Sequence, residues 1–203
     1  MIALSRRALV VGAISLLVVL ALGALGWFWY SAEQSRAASA YAEALFRVRL
    51  AAKPEDRTVA IQTLEATLAR YPSSSAATQA AYQLAALRYD AGQHAAARSA
   101  YEIALARGAS GTLRTLAQAG IGYAWEAERD YPKAIDVYRG TLSRLGPKDF
   151  YYETLLMDLG RSQELAGRKA EAIETYRRLL KEIPQARRAS EIRARLTALG
   201  AGW

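Results

Sequence analysis

The chain has 203 residues, with 27 Lys and Arg against 19 Asp and Glu (net charge +8) and 52% hydrophobic residues. It contains no Cys, no Asn and a single His, His94. That composition excludes disulfides, thiolate metal sites, cysteine nucleophiles, N-glycosylation sequons and any metal site built on several histidines.

The first element in the chain is apolar. After Arg6 and Arg7, the stretch "ALVVGAISLLVVLALGALGWFWY" (8–30) runs without a charge. As a helix it would be roughly 35 Å long, enough to cross a hydrocarbon core of about 30 Å. It closes in Trp27, Phe28, Trp29 and Tyr30, rings suited to the headgroup layer. Residues 31–45 hold Arg36 against Glu33 and Glu43. The positive-inside bias therefore predicts a cytoplasmic stub over 1–7, a transmembrane helix over 8–30 and a C-terminal bulk on the far side. A cleaved signal peptide is the competing reading, since Ala24-Leu25-Gly26 and Ala38-Ser39-Ala40 look like small-residue cleavage sites. Its apolar region would be unusually long.

Next comes a repeat. Tyr101, Tyr138 and Tyr176 are 37 and 38 residues apart. Four before each stands Ala97, Ala134 or Ala172, and four after stands Leu105, Leu142 or Leu180. Seventeen before each is Leu84, Ile121 or Leu159, followed by a small residue, Ala85, Gly122 or Gly160. Nine before each is Gly92, Arg129 or Gly167. A degenerate earlier copy centres on Leu64, with Arg47 where a large apolar residue is expected. Tyr, −4 and +4 share one helix face, so each unit holds an amphipathic second helix. The large-small pair sits on a preceding helix, where the small member permits close approach. Glycine fits the break between the helices. Each unit is then a helical hairpin that must stack on neighbours to bury its face. The units fall over 41–74, 78–111, 115–148 and 153–186. After them Ile192, Leu196 and Leu199 form one stripe, which predicts a capping helix within 187–203.

On these residues the chain resembles the tetratricopeptide repeat family. "LMDLGRSQELAGRKAEAIETYRRLLKEIP" carries Leu156, Leu159, Gly160, Gly167, Ala172, Tyr176 and Pro184 in matching places, and "QAGIGYAWEAERDYPKAIDVYRGTL" carries Ile121, Gly122, Trp125, Ala134 and Tyr138. The spacing is wider than the family's roughly 34 residues, with the extra residues in "GASG" and "GPKDFYY". The resemblance implies an all-α fold, a right-handed superhelix of antiparallel hairpins behind one transmembrane helix. It implies protein or peptide partners held in a groove lined by first helices. By register the exposed first-helix positions are Gln79, Tyr82, Tyr89, Tyr123, Glu126, Met157, Arg161 and Glu164. A Lys/Asn/Arg clamp for C-terminal carboxylates is ruled out by the lack of Asn.

No motif for catalysis, nucleotide or metal binding occurs, so neither enzyme activity nor a cofactor or small-molecule substrate is expected. His94 reads as a packing residue at a hairpin turn, and Glu126, Glu128 and Asp130 as a solvated turn cluster. Glu171 and Glu174 flank Ala172 and Ile173, and Glu174 stands four before Arg178, a helix-supporting spacing. The C-terminal excess of charge, Arg177, Arg178, Lys181, Arg187, Arg188 and Arg195, forms a basic edge. Nucleic acid is not the expected partner, because a membrane anchor and a mixed-charge body suit it poorly. The layout of one anchor and a short repeat domain resembles the ancillary subunit of the Sec translocon and other bacterial envelope proteins. It implies an inner-membrane protein with a periplasmic scaffold or chaperone domain, accessory to protein translocation or envelope assembly. Two alternatives stand beside it: a structural subunit of a larger membrane complex, and an organelle receptor with a cytosolic repeat domain.

Overall fold

The computed structural model describes residues 6–51 and 53–202, with the backbone alone for 6–14. Residues 1–5 of the expected stub and Trp203 of the expected tail lie outside the described residues. Among the described residues the chain is all-helical: α1 (Arg6–Leu50), α2 (Pro54–Arg70), α3 (Ala77–Asp90), α4 (His94–Ala106), α5 (Gly111–Ala127), α6 (Tyr131–Leu142), α7 (Tyr152–Leu165), α8 (Lys169–Glu182) and α9 (Ala189–Ala198). Helices α1–α2, α3–α4, α5–α6 and α7–α8 pair as hairpins, and each second helix packs on the first helix of the next pair.

The three regular hairpins turn in the same way. Gly92, Arg129 and Gly167 all adopt positive φ, at 73°, 61° and 74°. Just beyond each, Gln93, Asp130 and Arg168 donate their backbone N–H groups to the carbonyls of Arg88, Trp125 and Gln163, at 2.8–2.9 Å. This is the glycine-type helix stop in which a left-handed residue lets the chain cap its own last carbonyls. Arg129 holds that conformation without the freedom of a glycine, at a cost of about 1 kcal/mol.

The close approach inside each hairpin has a specific cause. A Cβ added at Gly122 would lie 2.2 Å from the Tyr138 ring, and one at Gly160 would lie 2.4 Å from the Tyr176 ring. The small residue therefore makes room for a tyrosine ring set against the partner helix backbone. Gly120 does the same between hairpins, since its Cβ would meet the Tyr101 ring at 2.3 Å. Tyr138 and Tyr176 are fully buried. Two clusters share the core, one centred on Leu64, Leu84 and Tyr101 and the other on Ile135, Tyr138, Leu155 and Tyr176. Helix α9 seals the second by burying Ile192 and Leu196 completely.

Two features go beyond the sequence reading. First, α1 is one helix of 45 residues, about 68 Å long. The apolar stretch and the first helix of the first hairpin are thus a single rod. No Gly or Pro lies between Gly26 and Pro54 to break it. Its apolar side chains Leu16 to Leu25 and Trp27 to Tyr30 are exposed, whereas Ala37, Tyr41 and Ala44 are buried against the repeats. Second, Arg47 is exposed and pairs with Glu43 at 2.9 Å. Among the described residues no hairpin packs ahead of α1–α2, so a charged residue is tolerated where later copies carry Leu84, Ile121 and Leu159.

The ring-on-backbone packing makes two glycines respond in opposite directions. Gly140, in α6, has open space around its Cβ direction. Gly140→Ala should raise stability by about 0.5–1 kcal/mol through helix propensity. Gly122→Ala should lower it by roughly 1–3 kcal/mol, because the Tyr138 ring must move. Thermal unfolding of the two variants, followed by circular dichroism, checks the sign of each.

Candidate functional site

The first helices α3 and α5 touch each other across neighbouring hairpins, as do α1 and α3. They form the inner wall of the stack. Along this wall Tyr82 packs on Tyr101 (ring centroids 5.6 Å apart), and Tyr123 meets Tyr138 edge-on at 6.0 Å. Tyr89 meets His94 edge-on at 5.2 Å. Tyr82, Tyr89 and Tyr123 are each half-buried, and Gln79, one turn before Tyr82, is exposed. The single histidine is thus the first residue of α4, packed on a ring.

Deeper in the wall lies a polar network that spans α5 and α7. The Tyr123 hydroxyl donates to Asp158 Oδ2 at 2.7 Å and lies 3.0 Å from the Tyr151 hydroxyl. Arg161 bridges Asp158 (3.1 Å) and Glu126 (2.6 Å), and Ser162 donates to Glu126. Burial pushes the Asp158 carboxyl above the usual aspartate range, opposed by the Tyr123 hydrogen bond and by Arg161. Burial, with the Asp158 charge and the two hydroxyl contacts, pushes the Tyr123 phenol far up, so it stays a neutral donor. The buried Tyr138 hydroxyl has no hydrogen-bond partner among the described residues. Farther along, Tyr176 donates to Glu164, which also accepts from Arg195 at 3.2 Å.

The register-based positions fare unequally. Gln79, Tyr82, Tyr89 and Tyr123 share the inner wall. Glu126 and Arg161 are also on it but are committed to each other, and Glu164 is held by Arg195 and Tyr176. Met157 corrects the reading that it is exposed: it is 1% accessible and belongs to the core around Tyr138 and Leu155. Helix α7 is enclosed by α6, α8 and the sealing of α9, so nearly its whole circumference is buried. Tyr151, Asp158 and Ser162 were missed. Asp158 occupies the place held by Gly120 thirty-eight residues earlier, and a charge replacing a backbone-contact glycine was the available signal.

The basic edge is largely neutralised. Arg178 pairs with Glu182 at 3.0 Å and donates to the Tyr152 hydroxyl at 2.6 Å. It therefore turns away from Glu174, correcting the expected pair. Arg188 pairs with Glu191, Arg195 turns inward to Glu164 and Glu191, and Arg177 donates to the carbonyl of Gly202 at 2.8 Å. Lys181 and Arg187 remain exposed. Glu171 pairs with Arg139 and Arg168, and together with Glu174 it lines an open cleft of about 410 Å³ between α6, α7 and α8. Among the described residues no group of three or more His, Cys, Asp or Glu is placed to hold a metal.

A family model described as a tetratricopeptide repeat-like domain matches residues 6–201. Among solved structures, the crystal structure of MamA protein is similar at 21% identity and a TM-score of 0.54, over 66% of this chain and 67% of that one. The nearly identical TPR-like repeats of a Podosopora anserina kinesin light chain are similar at 17% identity and a TM-score of 0.63, over 82% of this chain and 88% of that one. Among curated proteins none matches this sequence.

The buried carboxyl of Asp158 gives a signed pH dependence. Its folded pKa lies above the unfolded value of about 3.9. The stability it contributes is fully present below about pH 3.9 and is lost as pH rises through the folded pKa. The stability of the wild type relative to Asp158→Asn should therefore decline as pH rises from about 4 and level off once Asp158 is ionised. Urea unfolding of both chains in detergent across this range measures the difference, and a rise with pH would contradict the burial-dominated environment.

Proposed function

Since the chain belongs to the tetratricopeptide repeat-like domain family, whose repeats serve as protein-interaction scaffolds, we propose that it is a membrane-anchored scaffold whose inner wall takes protein segments. In this reading residues 8–30 span a bacterial inner membrane, residues 1–7 are cytoplasmic, and the repeats over 31–186 work in the periplasm. The role is chaperone-like, or accessory to protein translocation or envelope assembly. The observation that carries it is the row of half-buried rings, Tyr82, Tyr89 and Tyr123, with Gln79 on the same wall of α3 and α5. Tyrosine offers large contact area at small conformational cost and a hydroxyl for backbone hydrogen bonds. Each ring here is already braced by a neighbour, so little order remains to be imposed on binding. The anchor is supported by an N-terminal helix long and apolar enough to cross a membrane, with none of its most apolar stretch buried.

A photo-crosslinking residue placed at Gln79 or Tyr82 of the full chain in cells tests the wall. Glu102, exposed on α4, is the outer-surface control. Discrete adducts with other proteins should form from the wall positions, several-fold above the control. Unfolded secreted clients among them support the chaperone-like role, and one stoichiometric membrane partner would replace it with a structural-subunit role. Equal labelling from Glu102 would overturn the inner wall as the binding surface. A C-terminal topology reporter active in the cytosol would overturn the periplasmic placement.

A further inference from the structure

The two ends of the hairpins differ in charge, and the continuity of α1 decides which end meets the membrane. From Tyr30 to Leu50 the rod rises about 30 Å, and the 17 residues of α2 bring the chain back by about 26 Å. The connection from α2 to α3 therefore returns to the level where the apolar stretch stops. The contacts agree. Arg70, Tyr71, Pro72, Ser73 and Ser74 line a cleft of about 180 Å³ with Glu33, Gln34 and Ala37, and the Tyr41 hydroxyl donates to the Tyr71 carbonyl at 3.0 Å. Ala37 is only about 10 Å along the helix from Tyr30. The next connection lies beside this one, because the Thr78 hydroxyl at the start of α3 donates to the Arg107 carbonyl at the end of α4, at 2.9 Å.

The connections between hairpins, with the turns that flank them, are the windows 70–78, 105–114, 142–153 and 181–189. They hold eight basic residues against three acidic ones. The opposite ends, at the turns inside hairpins, are the windows 49–57, 88–95, 126–133 and 164–171, with eight of each sign. The membrane-proximal end is thus net +5 and the distal end neutral. The proximal end also shows its aromatic side chain: Phe150 is 62% exposed, two residues from Lys148.

We propose that the inter-hairpin edge, led by Arg70 and Arg107, lies on the membrane and binds anionic lipid headgroups. This rests on the reading of 8–30 as an uncleaved anchor. Basic residues held near an anionic surface are each attracted by about 1 kcal/mol, roughly a fivefold change in occupancy. The anchor supplies the proximity, so a few such contacts hold the edge down and fix which way the inner wall opens. The attraction weakens within a Debye length and with added salt.

The test uses the full chain in lipid nanodiscs. Since the chain lacks Cys, a spin label at Ser73→Cys is unique, and Gln93→Cys labels the opposite end. Collision with a water-soluble relaxation agent reports depth. In phosphatidylglycerol discs the Ser73 label should be shielded, while in phosphatidylcholine discs, in high salt, or in the Arg70→Glu/Arg107→Glu variant it should regain accessibility. The Gln93 label should be fully accessible throughout, and helical circular dichroism should be unchanged in the variant. A Ser73 label equally accessible in both lipids, with the chain still in the discs, would overturn the lipid contact and leave the anchor standing. A shielded label indifferent to lipid charge would overturn the electrostatic basis. Chain recovered outside the discs would overturn the anchor reading, and the proposal with it.

Discussion

A tyrosine ring laid against the backbone of a facing helix is the contact on which the rest of this structure depends. Tyr138 on Gly122 and Tyr176 on Gly160 close hairpins, and Tyr101 on Gly120 joins one hairpin to the next. The ring fills the space that a Cβ would need, so the helices can approach only where the facing residue is small. A hydrophobic contact without that steric limit would allow helices to slide. With it, the stack has one solution, and the inner wall inherits its order from the core. Tyr123 shows the inheritance: one ring packs edge-on against buried Tyr138 and reaches Asp158 with its hydroxyl.

The inner wall is consequently a mixture of committed and uncommitted groups. Glu126, Arg161, Asp158 and Glu164 spend their charge on one another or on Arg195 and the tyrosine hydroxyls. Buried charges need such partners, because an unpaired one costs several kcal/mol. What remains for a partner is ring surface and hydroxyl from Tyr82 and Tyr89, the exposed part of the Tyr123 ring, and the Gln79 amide. Such a surface suits segments recognised by contact area and backbone hydrogen bonding more than by a fixed charge.

The repeat was legible because its marks are local in sequence and recur. Tyr, the Ala four before it and the small residue sixteen before it each do one steric job at one position. The left-handed stop was equally legible at Gly92 and Gly167, and the register extended it to Arg129, where composition alone gives no hint. Met157 was not legible. Its exposure depends on how α6, α8 and α9 surround α7, and no periodicity within α7 encodes that enclosure. The polar network was hidden for a similar reason: Tyr123, Tyr151 and Asp158 lie 28 and 35 residues apart in their contacts, and only the stacking of hairpins brings them together. The basic edge looked continuous although its local partners, Glu182 for Arg178 and Glu191 for Arg188 and Arg195, stand within one turn in the sequence; only the pair of Arg195 with Glu164 needed the fold.

Helix α1 is a single rod that joins the apolar stretch to the first hairpin, so the repeats are carried as one body with that stretch. Pulsed electron resonance between spin labels at Ser31→Cys and Gln93→Cys, in the full chain held in lipid nanodiscs, measures this directly. One narrow distance distribution is expected. A broad or multiple distribution would mean a hinge between the apolar stretch and the repeats, and would contradict the account.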